Sequence, residues 1–486
     1  MIAVIFLLLA SISWVLIPNA PSAPHEGFIT QCLCLVVATN IALFIVKSLQ
    51  PKPVNWLTVD VLFTVSFTLI HFGYFFYWVT GYFGSERPLW YAGNISVPQA
   101  VCKTLAMYSL VINLFLFGYY LVANKREIAI VNEVRPGGAV AKSWGALGRL
   151  LVRTGFLCYF AFIVIVGPAV FFGSYSGTNN ISSIGNVFYQ IGQVLLVSGI
   201  AVGVVSRERV IPKLRQGRFS IFQIGFIDLF LVVSTLAAIG LHGDRSTLLI
   251  IGAALMVAYS EYVKPFRLST LATFAVAIIF LLGLILIYRS GRDVDYGFSD
   301  NFNRAMVNMG NSSVCGFVAV EYGENNLSYG RKQILELLGI IPFGRRIFRY
   351  PSNVDTSTSM YLTFLIQGRV GRGVAGTGTS AFADFYFDFG LYGTAFIFFM
   401  LGVASKWIQN RARCSLGIVW PVVLVNYVSF LAICSRYSVT GGLIRYVIYS
   451  AIYVSVFCYL TGTPFKDRMG DRTLRSAILR GKLARK

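Results

Sequence analysis

The chain alternates long apolar stretches with short polar ones along almost its whole length. A helix needs roughly 20 mostly apolar residues to cross the hydrocarbon core of a bilayer, and stretches of that kind recur throughout. The pattern therefore predicts an all-α, polytopic integral membrane protein with about twelve transmembrane helices. The predicted spans are residues 2–18, 28–46, 56–79, 99–122, 150–172, 185–205, 221–240, 246–260, 269–288, 387–404, 417–435 and 443–461.

The composition agrees with a membrane protein and argues against a soluble one. Hydrophobic residues make up 56% of the 486 residues and charged residues 13%, with a mean hydropathy of +0.68. The first span, "MIAVIFLLLASISWVLIPNAPSA", ends in small residues as a cleaved signal peptide does, but no Lys or Arg precedes its apolar run. We expect this span to be a retained helix.

Basic residues are gathered in alternate loops, which predicts the orientation of the chain. Lys and Arg in short loops are retained on the cytoplasmic side during membrane insertion. If all twelve spans are real, this rule places both termini in the cytoplasm. The basic residues on that side are Lys47, Lys52, Lys125, Arg126, Arg135, Lys142, Arg207, Arg209, Lys213, Arg215, Arg218, Lys264, Arg267, Lys406, Arg411 and Arg413, followed by the basic tail at residues 462–486.

The remaining composition excludes several classes of partner and cofactor. The net charge of +21 lies mostly in these loops and the tail, where topology and contact with anionic membrane lipids explain it without nucleic acid. The eight cysteines and three histidines show neither a disulfide framework nor the spacing of metal ligands. "DVD" at residues 293–295 is too short a pattern to indicate a metal site. We expect no metal and no cofactor.

One region interrupts the pattern of spans and divides the chain. Residues 1–288 contain the first nine spans, residues 387–461 the last three, and residues 289–386 form a large outer loop with partly helical segments. A connection of this length usually carries function, and we interpret it as a small cap over the membrane. Its arginine clusters, "GRRIFR" and "GRVGRG", have no acid within four residues. Such clusters suit a phosphate or diphosphate, which a guanidinium binds with two parallel hydrogen bonds.

A glycine-rich stretch follows within the same loop. "GRGVAG" has the letters of a dinucleotide fingerprint, but the strand and helix that such a site requires are not indicated around it. Its glycines, Gly371 and Gly373, still allow several backbone N–H groups to face one anion, and a helix beginning near Ser380 adds its positive end. Arg369 and Arg372 lie three residues apart and supply two guanidinium groups. The segment is typical of an anion site at the membrane surface.

Two acidic residues come directly after this stretch. Asp384 and Asp388 are four residues apart in "SAFADFYFDFG" and share one face if the segment is helical. Two interpretations are open: the acids form salt bridges with neighbouring arginines, or Asp384 is a general base that takes a proton from a hydroxyl.

A second constellation lies in the tight turn "LHGDRSTLL" between the seventh and eighth spans. The turn holds His242, Asp244 and Arg245 within a few residues, at the edge of the helix bundle. Arg245 opposes the preferred orientation because it is a positive charge in a very short outer loop. Arg445, in or near the last span, is costly in a membrane unless it is paired.

At this point the chain resembles the Wzy-type repeat-unit polymerases of bacterial surface polysaccharides, such as O-antigen polymerases. The residues that carry the resemblance are "GDRSTLL", "YGRKQILELLGIIPFGRRIF" and "GTGTSAFADFYFDFGLYG", between Leu241 and Gly402. The resemblance implies a GT-C-like polymerase or ligase architecture in the bacterial inner membrane. It also implies a metal-independent glycosyltransferase that polymerises undecaprenyl-diphosphate-linked oligosaccharide repeat units into surface polysaccharide at the outer face.

The resemblance also assigns roles to residues of this chain. Outer-face arginines would hold the diphosphate of the donor, and a base would accept the proton of the attacking sugar hydroxyl. We assign the catalytic role to Arg245, with Asp384 or His242 as the base. The assigned diphosphate-binding residues are Arg345, Arg346, Arg369, Arg372, Gly371 and Gly373.

Two alternatives remain open at the level of sequence. A transporter or flippase of lipid-linked oligosaccharide would explain the number of spans and the acids Asp60 and Asp228 within them, but matched halves with broken helices are not visible. An O-antigen ligase uses similar donors and shares these motifs. The polymerase interpretation adds membrane lipids and a chain-length regulator as partners.

Overall fold

The computed structural model shows a helical protein. It describes residues 2–50, 53–81, 90–92, 95–123, 138–168, 171, 183–210, 225–242, 244–274, 312–323, 326–341, 347–348, 358–368, 379–415, 417–434 and 436–464. Helices fill most of these ranges, which confirms the all-α prediction. A small exception is an antiparallel pair of two-residue strands, β1 (Tyr91–Ala92) and β2 (Ile95–Ser96).

The helices follow one another along the described ranges. The first part of the chain contains α1 (Ile2–Leu16), α2 (Glu26–Ser48), α3 (Val59–Val79), α4 (Pro98–Leu121), α5 (Gly138–Val166), α6 (Ser183–Val210), α7 (Phe226–His242) and α8 (Arg245–Tyr262). The second part contains α9 (residues 312–323), α10 (Arg331–Leu338), α11 (Thr358–Gln367), α12 (Ala381–Cys414), α13 (Val419–Cys434), a π-helical turn π1 (Val439–Ile444) and α14 (Arg445–Leu460). Residues 268–274 are also helical.

The predicted spans agree well with these helices. Within the described residues, seven helices are long and apolar enough to cross a membrane, and four shorter apolar ones accompany them. Each predicted span except one coincides with such a helix. The exception, residues 269–288, lies mostly outside the described residues, so twelve spans remain a prediction. The chain is a multi-pass membrane protein.

The centre of the bundle is α4, which packs against α1, α2, α3 and α12. Its side chains are buried along most of its length. Part of the predicted outer loop also lies in this core: α9 buries Cys315, Phe317 and Val318. The Tyr108 hydroxyl on α4 donates to the Ser313 carbonyl at 3.0 Å, which holds α9 against α4. This segment is therefore packed into the bundle, in a region that the sequence predicts to be a cap.

Glycines allow α4 and α12 to approach closely. A Cβ atom on Gly402 would lie 2.0 Å from the Phe115 carbonyl oxygen, and one on Gly118 would lie 2.2 Å from the Phe399 carbonyl oxygen. Small residues at helix interfaces bring backbones together in membranes, where packing rather than the hydrophobic effect drives association. The two glycines set the distance between α4 and α12.

The helix α12 begins before its predicted span and contains a kink. Ser380 caps its first turn by accepting a hydrogen bond from the Ala383 N–H at 3.1 Å. Gly390 then interrupts the helical geometry with a φ of 63° and a ψ of −164°. The part beyond Gly390 extends roughly 36 Å at 1.5 Å per residue, which exceeds the roughly 30 Å hydrocarbon core. The first turns of α12, with Asp384, are thus not needed to span the membrane.

Candidate functional site

Three side chains from three separate elements meet in a buried acid cluster, defined as Asp384, Ser438 and Glu336. Asp384 lies in the first turn of α12, Glu336 on α10, and Ser438 directly before π1. The Ser438 hydroxyl lies 2.8 Å from Asp384 Oδ2 and also contacts Glu336 Oε2. One hydroxyl therefore bridges two carboxyl groups.

The second predicted acid, Asp388, has a different role. Its Oδ2 accepts a hydrogen bond from the Gln333 N–H at 2.8 Å, and its Oδ1 accepts one from the Lys332 N–H at 3.4 Å. A carboxylate satisfies the N–H groups that every helix leaves unpaired at its start, and it complements the helix dipole. Asp388 thus fixes the N-terminus of α10. The two acids share one side of α12, but Asp384 joins the cluster and Asp388 positions the helix that carries Glu336.

A further side chain joins α10 to its neighbours. Gln333 donates from its amide nitrogen to the Asp384 carbonyl oxygen at 3.1 Å and accepts a hydrogen bond from the Thr440 hydroxyl. It therefore connects α10 with both α12 and π1. These contacts hold Glu336 in place against Ser438.

The Glu336 carboxyl has opposing influences on its pKa. Burial raises the pKa above its ordinary value and is the largest cause, and the negative charge of Asp388 adds to it. Hydrogen bonds from Ser438 and from the Gly441 N–H, at 3.0 Å, favour the ionised form, as does the positive charge of Arg445. The carboxylate therefore has partners that stabilise its charge despite its burial.

Arg445 lies at the start of α14, close to the cluster. Its guanidinium donates to Gln190 Oε1 on α6 at 3.1 Å, and its charge acts on Glu336. The neighbouring Tyr446 hydroxyl bonds to the Gln193 amide oxygen one turn further along α6. The sequence indicates that this arginine needs a partner within the membrane, and the structure provides one polar and one acidic neighbour.

The turn between α7 and α8 is held by Asp244. Its Oδ1 accepts hydrogen bonds from the backbone N–H groups of Ser246 and Thr247, at 3.1 and 3.3 Å, and so caps α8. Its Oδ2 accepts from the Thr247 hydroxyl at 2.7 Å and from the Tyr189 hydroxyl on α6. Arg245 is the first residue of α8, directly after this cap. The turn therefore fixes the backbone from which Arg245 projects.

The last turn of α7 buries His242. Its Nδ1 lies 2.8 Å from the Phe171 carbonyl oxygen, and its ring stacks on the Phe171 ring with a centroid distance of 4.3 Å. The described contacts of His242 are thus those of a packed structural residue. Of the two bases that the sequence proposes, only Asp384 lies in the acid cluster.

Replacing Asp244 by alanine is expected to destabilise the protein. The change removes a helix cap, worth about 0.5–2 kcal/mol, and leaves the buried hydroxyls of Tyr189 and Thr247 without their acceptor. The thermal midpoint of the purified variant should fall clearly below that of the wild type. Asp244→Asn, which keeps an acceptor oxygen for the cap, should lose less; equal midpoints for both variants and the wild type would contradict this role.

A cavity of about 540 Å³ lies between α1, α4 and the kinked part of α12. Its size falls in the range of small-molecule sites, roughly 300–1,000 Å³. The wall is mostly apolar and aromatic with one cationic side chain, Lys103. Other wall residues are Trp14, Met107, Tyr386, Phe389, Leu391 and Tyr392. We call it the α12 cavity. One of its wall residues, Tyr386, comes two residues after Asp384 on α12.

Several predicted site residues lie outside the described residues. The four loop arginines and the two glycines are in this group, and the described part of Arg245 is its backbone position at the start of α8. The residues without a described position are Arg345, Arg346, Arg369, Arg372, Gly371 and Gly373. Their assignment to diphosphate remains a prediction.

The structure adds residues that the sequence analysis missed. Glu336 lies in "RKQILELLGII", which the sequence presents as an ordinary amphipathic helix. Its buried residues, however, are Lys332, Gln333 and Glu336, so α10 turns a polar face inward. The sequence offered one indication of this polar face, because Lys332 and Glu336 are four residues apart and lie on the same side of a helix. The same spacing is typical of a solvent-exposed ion pair, so it does not indicate burial. Ser438 has no sequence signal of its own.

The acids within the spans are paired at sites away from the acid cluster. Asp60 on α3 lies 2.9 Å from the Lys47 ammonium on α2, and Asp228 on α7 lies 3.1 Å from the Arg153 guanidinium on α5. Buried charges require such partners. The pairs account for both acids without an ion path, and these acids were one of the two features that favoured a transporter, beside the number of spans.

Possible metal ligands and cysteines can be placed only in the described part of the chain. There, no three residues among His, Cys, Asp and Glu lie close enough together to hold a metal ion. All eight cysteines are free thiols. The acid cluster holds two carboxyl groups and one hydroxyl, which is a set suited to proton transfer.

Comparison with known proteins places the chain in a family. The model of the family described as O-antigen polysaccharide polymerase Wzy matches residues 1–468, nearly the whole chain. None of the curated proteins and none of the solved structures compared with the chain matches it. The match includes the segments that hold Arg245, Glu336, Asp384 and Ser438, and it confirms the resemblance drawn from the sequence. The chain therefore belongs to the O-antigen polysaccharide polymerase Wzy family.

Proposed function

We propose that the protein polymerises undecaprenyl-diphosphate-linked oligosaccharide repeat units into O-antigen or a similar surface polysaccharide. The reaction takes place at the outer face of the bacterial inner membrane, and both termini of the chain are cytoplasmic. The observation that carries the proposal is the acid cluster in a chain of the Wzy family, with its member Asp384 on the helix that also forms part of the α12 cavity. One helix thus carries a member of the acid cluster and part of a candidate lipid-binding wall.

The proposed step is a metal-independent glycosyl transfer. A hydroxyl oxygen of the acceptor sugar attacks the anomeric carbon of the donor glycan, and the bond from that carbon to the diphosphate breaks. The diphosphate leaves with the bonding electron pair, while the acid cluster takes the hydroxyl proton. Negative charge that develops on the leaving diphosphate needs cationic donors near it.

Arginine side chains are our candidates for that stabilisation. Arg245 is the first residue of α8, directly after the helix cap at Asp244. Arg345, Arg346, Arg369 and Arg372, with Gly371 and Gly373, complete the proposed diphosphate site. His242, which packs on Phe171, is the less favoured base.

The α12 cavity is our candidate for the apolar part of the substrate. Its aromatic wall suits an isoprenoid chain, and Lys103 suits an anionic headgroup near that chain. The cavity shares α12 with Asp384, so a lipid bound there would contact the helix that carries one member of the acid cluster. Surrounding membrane lipids and a chain-length regulator are the other proposed partners.

Deleting the gene in its host tests the proposed function. The surface polysaccharide would be separated on a silver-stained gel, with complementation by the wild type and by Arg245→Ala at matched membrane levels. We expect the deletion to reduce the ladder to a single repeat unit on the core, because flipping and ligation still operate. We expect Arg245→Ala to restore at most about one hundredth of the polymer, the cost typical of losing a preorganised charge donor.

Other outcomes would favour the alternatives. Loss of every repeat, including the single unit, would indicate a flippase or an O-antigen ligase. An unchanged ladder would reject all three functions in this pathway. Full polymer from Arg245→Ala would remove Arg245 from the site without affecting the function.

A further inference from the structure

The acid cluster contains two carboxyl groups, those of Asp384 and Glu336, but a single hydroxyl, that of Ser438, that could donate a hydrogen bond to them. The Ser438 oxygen contacts Asp384 Oδ2 at 2.8 Å, contacts Glu336 Oε2, and accepts the Gly441 N–H at 3.0 Å. A serine hydroxyl carries one hydrogen, so it can donate to only one of the two carboxyl groups. The other contact is a hydrogen bond only if that carboxyl is protonated and donates to Ser438. The geometry therefore fits one proton shared by the pair.

The surroundings of the two carboxyl groups differ, and the difference decides where the proton lies. Asp384 is fully buried, and its Oδ1 has no hydrogen-bond partner among the described residues. Burial and the negative charge of Glu336 raise the pKa of Asp384, and the opposing contributions of Ser438, Thr358 and Gln333 are smaller. An ionised carboxylate is costly to bury with so few donors, whereas a neutral carboxylic acid is not.

Glu336 has the partners of an ionised group. Its Oε2 accepts the Gly441 N–H at 3.0 Å and the Ser438 hydroxyl, and Arg445 supplies a positive charge. It is also less buried, with an exposed fraction of 8% against 0% for Asp384. Of the two carboxyl groups, it is the more accessible one.

We propose that Asp384 holds the shared proton, donates it in a hydrogen bond to Ser438, and leaves Glu336 as the carboxylate that accepts the proton of the attacking sugar hydroxyl. This assignment rests on the proposed function. It makes Glu336 the catalytic base and makes Asp384 and Ser438 positioning residues that hold Glu336 in its direction. In this arrangement Asp384 donates a hydrogen bond to Ser438, and Ser438 donates one to Glu336. Glu336 is therefore already ionised before the sugar hydroxyl arrives.

Charged and titratable groups surround the pair on each side. Lys332 and Asp388 lie at the N-terminus of α10, and Arg445 lies at the start of α14. Asp388 raises the pKa of Glu336 and Arg445 lowers it, so the ionisation of Glu336 depends on both. Lys332 stacks on the rings of Tyr361 and Phe387, with its ammonium 3.9 and 4.7 Å from their centroids.

Isosteric substitutions separate the two roles. Asp384→Asn keeps a donor toward Ser438, as the protonated acid does, so we expect it to retain polymer within about tenfold of the wild type. Glu336→Gln cannot accept a proton, so we expect a loss of about 10²- to 10⁴-fold, the range typical of general-base catalysis. Glu321→Gln is the matched control, because Glu321 bonds to Gln99 on α4 and lies outside the cluster. It should leave the ladder unchanged.

A spectroscopic measurement tests the proton without relying on polymer formation. Infrared spectra of the purified protein in lipid nanodiscs would be compared for the wild type and the same three variants. We expect one protonated carboxyl band in the wild type that persists in Glu336→Gln and Glu321→Gln and disappears in Asp384→Asn. Because this readout needs no substrate, it stands even if the proposed polymerase function fails.

The proposal is overturned by the reverse pattern in either measurement. A band lost in Glu336→Gln but kept in Asp384→Asn would place the proton on Glu336. Loss of polymer in Asp384→Asn, with retained polymer in Glu336→Gln, would make Asp384 the base. Equal activity in both variants, at wild-type amounts of folded protein, would exclude the cluster from the reaction.

Discussion

Arg445→Ala is expected to reduce polymer formation by about 10- to 100-fold at neutral pH. The arginine supports the ionised form of Glu336 through its charge and is held in place by Gln190 on α6. Its removal leaves a buried carboxylate with only hydrogen-bond donors, and the loss of one such electrostatic contact typically costs two to three orders of magnitude at most. The deletion host complemented with the variant, scored on the same gel, provides the measurement.

The same substitution has an expected effect on pH dependence. Arg445 lowers the pKa of Glu336, so its removal raises that pKa further above the ordinary value. The base is active when it is ionised, at a pH above its pKa. Activity of the variant should therefore be lost at a higher pH than that of the wild type as the medium is acidified, and raising the pH should recover part of it.

Two variants make the Arg445 result specific. Arg445→Lys keeps the positive charge but not the planar guanidinium, and it should retain more polymer than Arg445→Ala. Arg436→Ala is the matched control, because Arg436 is an exposed arginine in the same turn between α13 and α14. Similar losses in Arg436→Ala and Arg445→Ala would show that the turn tolerates no change and would contradict a role for Arg445 in supporting Glu336.

Gly402→Ala is expected to remove most of the folded protein. The added Cβ would lie 2.0 Å from the Phe115 carbonyl oxygen of α4, a backbone atom that cannot rotate away. Overpacking in a close-packed interior costs about 1–3 kcal/mol and occasionally more, and here it separates the central helix α4 from α12. The amount of protein in membranes and the thermal midpoint of the purified variant provide the measurement.

A second glycine supplies the control for this prediction. Gly252 on α8 has open space around the position of an added Cβ, with nothing within 4 Å. Alanine has the higher helix propensity, so Gly252→Ala should be neutral or slightly stabilising. A normal thermal midpoint for Gly402→Ala would mean that α4 and α12 do not approach as closely as the structure has them.

Much of the fold follows from the sequence because a membrane imposes simple requirements. Backbone groups cannot be left unpaired in hydrocarbon, so long apolar stretches become helices. This reasoning located every predicted span except residues 269–288 at a described apolar helix, and it identified the first turns of α12 as a helix with Asp384 and Asp388 on one side. It could not indicate that α9, within the predicted outer loop, packs against α4, because twelve residues with few charges carry no sign of which helices they contact.

The candidate site was only partly predictable, and α10 shows why. An amphipathic helix is normally expected to bury its apolar face. In α10 the buried side carries Gln333 and Glu336, while Ile334 and Leu337 are exposed in the isolated chain. The polar face is stabilised by Asp388, Thr440 and Ser438 from distant parts of the chain, and local sequence cannot indicate such partners.

The sequence by itself determined the membrane class, the order of the helices, the family and one acid of the site, because apolar length and short motifs are local properties. The tertiary structure decided the rest: that Asp388 fixes a helix while Asp384 meets Glu336, and that one serine hydroxyl lies between two carboxyl groups. Ionisation depends on the donors and charges within a few ångströms of a group. Those neighbours come from α10, α12 and π1, which only folding brings together.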